Sequence, residues 1–227
     1  MKHYYSLFSG GFDSTLATLK TISENSPLKL TLVFFNYGQK SKEREAEAVM
    51  KLLPSIKEFA RNTNVNTIVD DQPRMINIQG PFSWSNSSIL EGRPREGDTG
   101  LENRNLIFLS CLSSIIMADR KGIKPREHIY VITGFTNTYY DTSLQFRQAM
   151  NSFFQATDQR IEVITPLIPD DQKGEVDLDE LIKIARSLNI LSLLDQMTWS
   201  CYFPEKNNNC GICDPCKKRR KISRALA

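Results

Sequence analysis

Apolar and polar positions along the chain alternate between the continuous runs of buried strands and the three-to-four spacing of helices. The first apolar run, over 4–8, ends at a Gly-Gly turn, and residues 12–22 then show helical spacing. The near-continuous apolar run over 28–35 is typical of a strand buried on both faces, and the charged, amphipathic stretch 41–62 predicts a long helix. The chain therefore begins with the order β-α-β-α.

The rest of the main body continues this alternation. Further short apolar runs predict strands over 65–69, 129–133 and 161–164. Further stretches with helical spacing lie over 105–121, 142–157 and 178–188. We expect the first of these helices to end at Gly122 and the last to begin after Asp177 as its N-cap. The pattern predicts an α/β fold, with a parallel twisted sheet and helices on both faces.

Two stretches depart from the alternation. Residues 71–103 lose periodicity and collect proline, glycine and serine, so we expect a long loop or lid, since structureless stretches of this length are usually functional. Residues 197–227 change in composition to cysteine, asparagine, lysine and arginine. We therefore predict a main domain over 1–196 and a small C-terminal subdomain over 197–227.

Composition sets the broad class of the protein. The 227 residues, 40% hydrophobic and 24% charged, describe an ordinary globular chain that can bury a core without disulfides. The apolar runs are shorter than the roughly 18 residues needed to cross a bilayer, and the start is too short for a signal peptide. We expect a cytoplasmic protein without a membrane partner. The net charge of +3 is too small to indicate a nucleic-acid partner by itself.

Four of the five cysteines lie near the C-terminus, at Cys201, Cys210, Cys213 and Cys216. Four thiolates at this short spacing can surround one Zn²⁺ tetrahedrally and leave no open position, which predicts a structural zinc. An iron–sulfur cluster and plain buried cysteines are the alternatives, although the Cys-Pro ending of ferredoxins is absent. Cys111 stands alone on an apolar stretch and is expected to be a packed core residue.

The first strand opens into the string Ser9-Gly10-Gly11-Phe12-Asp13-Ser14-Thr15. Two adjacent glycines let backbone N–H groups approach an anion, and the positive end of the following helix points at the same place. Hydroxyl groups add donors, and Asp13 can hold Mg²⁺ or a polar ligand group. The string is neither the Walker nor the dinucleotide pattern. A plain glycine turn before a capped helix is the alternative, but the whole string after a first strand favours a phosphate-binding loop.

This string resembles the SGGxDS loop of the PP-loop ATP pyrophosphatases, which cleave ATP between the α and β phosphates to adenylate a carbonyl or carboxylate oxygen. Within that superfamily, Trp199-Ser200-Cys201-Tyr202 and the run 210–216 resemble the C-terminus of the 7-cyano-7-deazaguanine synthase (QueC) family. Shorter matching pieces follow in the same order: Tyr37-Gly38-Gln39, Arg104-Asn105, Thr165-Pro166-Leu167 and Lys173-Gly174-Glu175-Val176.

The resemblance implies an ATP-dependent carbon–nitrogen ligase of queuosine biosynthesis. Such an enzyme adenylates the carboxylate of 7-carboxy-7-deazaguanine and converts it with ammonia to the amide and nitrile. It implies ATP, Mg²⁺ and Zn²⁺ as cofactors and a homodimer. The residues expected to line ATP are Phe8, Ser9, Gly10, Gly11, Phe12, Asp13, Ser14, Thr15, Leu16, Ala17 and Thr18. Asp13, Arg104 and Lys173 are the candidate catalytic residues, and a solvated surface charge is the alternative for the last two.

A flat purine-like base is expected to be held by stacking and by a carboxylate that accepts hydrogen bonds from its N–H groups. Asp141 follows the strand over 129–133, where ligands gather in open α/β sheets, and it is our choice for that carboxylate. The alternative for Asp141 is a helix N-cap ahead of Thr142. The candidate substrate-binding residues are Tyr37, Gln39, Arg104, Asn105, Tyr139 and Asp141.

The chain departs from the family at two places. Ser41-Lys42-Glu43-Arg44 stands where the family has His-x-x-Glu, and residues 138–143 stand where it has Gly-Tyr-Pro-Asp-Cys-Arg. The residues expected to bind ATP match the family, whereas those expected near the amine and the substrate differ from it. This pattern fits simple divergence of a synthase. It equally fits QueC-like enzymes of antiphage defence, which conjugate the deazaguanine to a protein amine. A third alternative is a non-catalytic nucleic-acid-binding subunit that uses the basic run 217–221. The run is otherwise expected to be the solvated face of a last helix, which beside the cysteines could also reach ATP phosphates across a dimer.

Overall fold

The computed structural model describes residues 1–25, 27–63, 66–96, 98–120, 127–206 and 208–226. Within these ranges the strands are β1 (Lys2–Leu7), β2 (Leu28–Asn36), β3 (Ile68–Val69), β4 (Arg74–Asn77), β5 (Ile129–Ile132) and β6 (Ile161–Ile164). The helices are α1 (Phe12–Glu24), α2 (Lys42–Thr63), α3 (Arg104–Asp119), α4 (Leu144–Ala156), α5 (Leu178–Ser187), α6 (Leu191–Met197) and α7 (Asp214–Arg224). The strands pair in parallel in one sheet, as predicted.

The strand order locates the ligand crevice. Across the sheet the order is β3-β2-β1-β5-β6, and β4 also pairs with β2, further along the same edge as β3. The chain first builds the sheet outward from β1 in one direction and then crosses back to place β5 on the other side of β1. Ligands of open parallel sheets bind beyond the carboxyl ends of the strands where the order reverses in this way. The residues that follow β1 and β5 therefore border the crevice.

Helices cover both faces of the sheet. Successive strand residues point to opposite faces, so Tyr4 packs into one core cluster and Tyr5 into the other. The first cluster contains apolar side chains of α1, α2, α5 and α6, together with Ile222 of α7. The second contains apolar side chains of α3 and α4. Among the residues that the structure describes, no helix combines the length and hydrophobicity that a membrane span needs.

Most predicted elements are confirmed with small shifts at their ends. The strand predicted over 65–69 is observed at Ile68–Val69, and Val65 and the predicted helix stop at Gly122 lie outside the described residues. Helix α4 starts later than predicted because Ser143 caps it, its Oγ accepting the Phe146 N–H at 3.0 Å. The alternative role of Asp141 as the N-cap of this helix is therefore wrong.

The expectation that residues 71–103 lack secondary structure is wrong. Strand β4 lies within this segment and pairs with β2, and a 3-10 turn follows at Gly80–Phe82. The strand escaped detection because polar Arg74 and Asn77 form its two ends and none of its residues is fully buried. Beyond it, the segment contributes to a third apolar cluster, made of Tyr37, Phe82, Ile89, Leu90, Leu101 and Phe203. The segment is thus packed against the C-terminal segment.

The start of α1 lies in close contact with Gly134, which follows β5. A Cβ at Gly134 would lie 2.6 Å from the Ser14 nitrogen and 2.8 Å from the Asp13 carbonyl carbon. We predict that Gly134→Ala lowers the free energy of unfolding by about 1–3 kcal/mol, because backbone must move to admit the methyl group. Urea denaturation measures this change.

Gly80→Ala is the matched control, since a Cβ there meets nothing within 4 Å. It should change stability by less than about 0.5 kcal/mol. Equal stability of the two alanine variants would contradict the close contact between β5 and α1.

Candidate functional site

The loop after β1 presents the amino-terminal end of α1 to the crevice. Gly11 is the extended N-cap residue, and no side chain of the described residues caps this end, so the first amide groups of the helix keep free donors. Thr15 ties the turn together, its N–H and Oγ1 donating to the Gly11 carbonyl at 3.1 and 2.8 Å. The Ser9 and Ser14 hydroxyl oxygens lie 3.0 Å apart beside it. The result is a preorganised set of donors at the positive end of a helix.

Gly10 sets this loop against α2. Its φ of +71° lies in the left-handed region, and a Cβ there would lie 3.0 Å from both the Glu45 carbonyl oxygen and the Val49 nitrogen. The Gly10 carbonyl accepts the Trp199 N–H at 2.9 Å. The glycine is therefore required for the position of the loop as well as for its openness to an anion.

The predicted nucleotide-lining set divides in two. The side chains of Phe8, Phe12, Leu16, Ala17 and Thr18 are buried and support the loop from the core. Thr15 is buried as well. The other residues, Ser9, Gly10, Gly11, Asp13 and Ser14, form the loop and first turn at the helix end; Gly10 and Ser14 are buried there, whereas Ser9, Gly11 and Asp13 are partly or fully exposed. A nucleotide-binding role for the whole set remains a prediction.

Gln39 organises the end of β2. Its Oε1 accepts the Tyr37 N–H at 2.9 Å, and its Nε2 donates to the Phe35 carbonyl at 3.2 Å and to Glu45 Oε2 at 2.8 Å. The side chain is 1% exposed. The amide predicted to bind substrate thus bonds to groups of the protein itself, and it fixes the position of Tyr37 and Glu45.

Glu45 is a site residue that sequence reasoning missed. The hydroxyl of Ser41, the residue just before α2, donates to the Glu45 Oε1 at 2.6 Å. Burial raises the pKa of Glu45, whereas the hydrogen bonds from Ser41 and Gln39 and the charge of Arg104 act to lower it. The available signal was the one-turn spacing from Ser41, the residue that stands in place of the family histidine. Glu45 lies one position after the place where the resembled family pattern has its glutamate.

Arg104, the first residue of α3, lies beside Tyr37. Its Cζ is 5.8 Å from the Tyr37 ring centroid, and its Nη1 is 3.5 Å from the Tyr37 hydroxyl oxygen. Its Nε is sealed from solvent and has no hydrogen-bond partner among the described residues. Burial acts to lower the pKa of Arg104, but Tyr37, Tyr202 and Asp141 outweigh it and leave the pKa above its ordinary value. Arg104 is thus a partly buried cation whose Nε is sealed and unpartnered among the described residues, which disfavours the alternative of a fully solvated surface charge.

Asn105 and Asp141 meet, as expected for two parts of one site. The Asn105 Nδ2 donates to Asp141 Oδ2 at 3.0 Å and to the Asp141 carbonyl at 3.2 Å, and both residues are buried. Tyr139 is 67% exposed. Tyr140 is also exposed, and its hydroxyl oxygen accepts the Asn103 N–H at 3.0 Å. Asn105 and Asp141 thus form a buried, hydrogen-bonded polar pair beside the exposed rings of Tyr139 and Tyr140.

Lys173 lies in the loop after β6, at the same edge of the sheet. This loop is attached to the segment after β5, since the Val176 N–H donates to the Thr136 carbonyl at 2.8 Å and the Thr138 hydroxyl donates to Glu175 at 3.0 Å. The Lys173 side chain is exposed. Its catalytic role remains a prediction.

The four C-terminal cysteines converge on one point. Their sulfur atoms all lie within 4.8 Å of one another, and the Cys210–Cys216 and Cys201–Cys213 pairs are each 4.0 Å apart. A tetrahedral zinc with Zn–S bonds of about 2.3 Å places its sulfurs about 3.8 Å apart. The geometry and the soft donor set therefore fit a single metal ion such as zinc.

Two other residues of the C-terminal segment reach the loop after β1: Lys218, which belongs to the basic run 217–221, and Tyr202. The Lys218 Nζ lies 2.9 Å from each carboxylate oxygen of Asp13, across a separation of 205 positions. Tyr202 interacts electrostatically with Arg104, Glu45 and Asp13, and burial raises its pKa. Neither contact leaves a periodic signal, because each joins distant parts of the chain.

We predict that the stability difference between wild type and Glu45→Gln depends on pH. Because burial raises the pKa of Glu45, the folded state binds its proton more tightly than the unfolded state does. The corresponding stability is present below the unfolded pKa and is lost as the pH rises through the folded pKa. Glutamine imitates the protonated acid at every pH. In urea unfolding, the variant should therefore gain stability relative to wild type as the pH rises above the unfolded pKa of a glutamate and through the raised folded pKa of Glu45.

Glu47→Gln is the control, because Glu47 is exposed and pairs only with Arg44 among the ion pairs of the described chain. The difference in free energy of unfolding between Glu47→Gln and wild type should not rise with pH in this way. A Glu45→Gln difference that is constant across this pH range would contradict the burial of the Glu45 carboxylate.

We predict that Cys213→Ser loses its metal and is destabilised by at least about 2 kcal/mol, since the ligands of a structural metal contribute directly to folding. Elemental mass spectrometry of the purified protein and urea unfolding measure the two effects. Cys111→Ser is the control, since Cys111 packs against the second core cluster and lies outside the four-cysteine group. A full equivalent of metal in Cys213→Ser would show that Cys213 is not a ligand.

Comparison with known proteins agrees with this geometry. The family model described as "Queuosine biosynthesis protein QueC" matches residues 4–226. A 7-cyano-7-deazaguanine synthase from Clostridium botulinum (strain Loch Maree / Type A3) is 29% identical over 224 residues, covering 95% of this chain and 91% of the relative. A protein of the same name from Aliarcobacter butzleri (strain RM4018) is 28% identical over 225 residues, with 94% and 87% covered.

A third relative is longer than this chain. The 7-cyano-7-deazaguanine synthase from Saccharolobus solfataricus is 27% identical over 237 residues, which cover 95% of this chain and 44% of the relative. The family match spans nearly the whole chain, and the parallel sheet and the four-cysteine cluster are consistent with it. The chain belongs to the QueC family.

Proposed function

We propose that the protein is an ATP-dependent ligase that adenylates the carboxylate of 7-carboxy-7-deazaguanine and converts it with ammonia, through the amide, to 7-cyano-7-deazaguanine. The family and the names of its relatives support this substrate. One observation carries the chemistry. The free helix end of α1 and the partly buried cation Arg104, whose Nε lacks a partner among the described residues, are connected through Tyr202, which interacts electrostatically with both Asp13 and Arg104.

The end of α1 suits the triphosphate. In the first step the acid carboxylate attacks the α-phosphorus of ATP, an O–P bond forms, and the bond to the departing pyrophosphate breaks. Negative charge builds on the pyrophosphate in the transition state. Donors that are already oriented, such as the free amides of α1 with the Ser9 and Ser14 hydroxyls, stabilise that charge without reorganisation.

Arg104 suits the acid or the phosphate that it attacks. A guanidinium presents two parallel donors to a carboxylate or a phosphate, and here the Nε donor is sealed from water. A buried donor without a partner is costly, so a ligand oxygen that completes it binds strongly. Arg104 would thus reduce the repulsion between two anions that must approach one another.

Asn105 and Asp141 suit the base. The Asn105 side chain donates a hydrogen bond to one carboxylate oxygen of Asp141, which fixes the orientation of that carboxylate. A fixed carboxylate accepts hydrogen bonds from the N–H groups of a deazaguanine, and the neighbouring Tyr139 offers a ring for stacking. The serine hydroxyls would hold Mg²⁺, and Asp13 would join them only when Lys218 no longer bridges its two carboxylate oxygens; the ion neutralises phosphate charge when bound. Zinc on the four cysteines would serve structure.

The amide and nitrile steps follow from the same adenylation. Ammonia attacks the carbonyl carbon of the acyl adenylate and expels AMP, which gives the amide. A second ATP adenylates the amide oxygen, and loss of AMP and a proton leaves the nitrile. The same phosphate and carbonyl positions serve both rounds, so one site suffices.

A second acceptor, a protein amine, is favoured by the exposed rings of Tyr139 and Tyr140 beside Asp141. Tyr140 stands where the resembled family string has proline, whereas Tyr139 matches its tyrosine, so the added exposed ring is that of Tyr140, where a macromolecular acceptor would enter. The nucleic-acid alternative has less support, because Lys217, Lys218, Arg219 and Arg220 all contact oxygens of the chain itself.

The test is incubation of metal-replete protein with 7-carboxy-7-deazaguanine, ATP, Mg²⁺ and an ammonium salt, followed by mass spectrometry. We expect AMP with the amide or nitrile. Arg104→Met should lower kcat/KM by about 100-fold or more, because it removes a partly buried cation from the charged transition state. Lys183→Met, which removes an exposed charge on α5, is the control and should retain activity.

Absence of both AMP and deazapurine product from well-folded wild type would show that the proposal is wrong. AMP release with a mass increase on a protein, in place of amide or nitrile, would assign the second acceptor.

A further inference from the structure

The contact between Lys218 and Asp13 joins the C-terminal segment to the loop after β1. The Lys218 Nζ is 2.9 Å from both Asp13 carboxylate oxygens, so the ammonium bridges them symmetrically. Asp13 lies in the first turn of α1, directly at the helix end that presents free amides. A positive charge therefore lies where the proposed function places the phosphate chain of the nucleotide.

Helix α7 is fixed in place, so Lys218 is presented from a rigid element. Arg219, the next residue, donates to the carbonyls of Leu194, Asp195 and Thr198 at 2.9, 2.7 and 2.8 Å. One turn further, Ile222 is 1% exposed and packs in the first core cluster. The amino-terminal turn of α7 carries Cys216 of the four-cysteine group. The helix is thus attached at both ends, with Lys218 between.

The ion pair is accessible to a ligand. The side chains of Lys218 and Asp13 are 32% and 33% exposed, so the pair borders water and is not sealed in the core. Exposed ion pairs contribute little to stability, which makes a purely structural purpose weak. Lysine, by contrast, is a compact cation on a flexible stem that binds phosphate as a point charge.

We propose that Lys218 is a phosphate-binding residue of the nucleotide site, supplied by the C-terminal segment and held ready by Asp13. This inference rests on the proposed function and deepens it. When the nucleotide binds, the ammonium contacts the β and γ phosphates, and it stays with the pyrophosphate as that group departs. The four-cysteine segment therefore contributes a ligand contact to the nucleotide site.

The test uses inorganic pyrophosphate as the probe, because its binding needs neither the acid nor catalysis. In isothermal titration of the metal-replete protein, Lys218→Met should weaken pyrophosphate binding by about tenfold or more, as expected for the loss of a charge-assisted contact. Lys218→Arg should restore most of the affinity. Lys217→Met is the matched control, since Lys217 is 60% exposed and pairs with Asp214; its affinity should stay within about twofold of wild type.

A second measurement on wild type avoids any variant that fails to fold. Acetylation with peptide mass spectrometry should show Lys218 protected by saturating pyrophosphate, with Lys217 unaffected. Equal affinities of Lys218→Met and Lys217→Met, or unchanged reactivity of Lys218, would overturn the inference while AMP formation by wild type still supports the proposed function. Wild type that forms no AMP would instead remove the proposed function.

Discussion

The arrangement of the site depends on backbone contacts that leave no room for a Cβ. At Gly134 the end of β5 touches the first turn of α1, and at Gly10 the loop touches the backbone of α2. Together they hold the amino-terminal end of α1 at the point where the strand order reverses. Because these contacts are between main-chain atoms, the donors at the helix end have fixed positions relative to the sheet, whatever the surrounding side chains do.

Charge is distributed around this fixed point by several elements. Arg104 comes from α3, Glu45 from α2, Asp141 from the turn after β5, and Lys218 from α7. The opposite charges of Arg104 and Glu45 are not in direct contact among the described hydrogen bonds. Arg104 contacts the ring and hydroxyl of Tyr37, whereas Glu45 accepts hydrogen bonds from Ser41 and Gln39. This separation leaves the Arg104 Nε free to receive an oxygen of a ligand.

What the sequence predicts depends on how local each signal is. The period of apolar residues was sufficient for the alternating parallel fold, and the glycine loop and four cysteines were visible because their residues are adjacent or closely spaced. Strand β4 was missed because its burial is partial and its ends are polar. Gly134 and Tyr202 were missed, and the contact of Lys218 with Asp13 was not predicted, because these contacts join segments up to 205 positions apart that no local pattern encodes.

These distant contacts give the C-terminal segment a part in the site. The Trp199 N–H bonds to Gly10, Lys218 bonds to Asp13, and Arg219 ties α7 to Thr198, so the segment meets the nucleotide loop and also closes on itself. Loss of order near the cysteines would therefore remove the contacts that the C-terminal segment makes with the loop after β1. A boundary near residue 196 separates two compositions, but the chemistry proposed for the loop requires residues from both sides of that boundary.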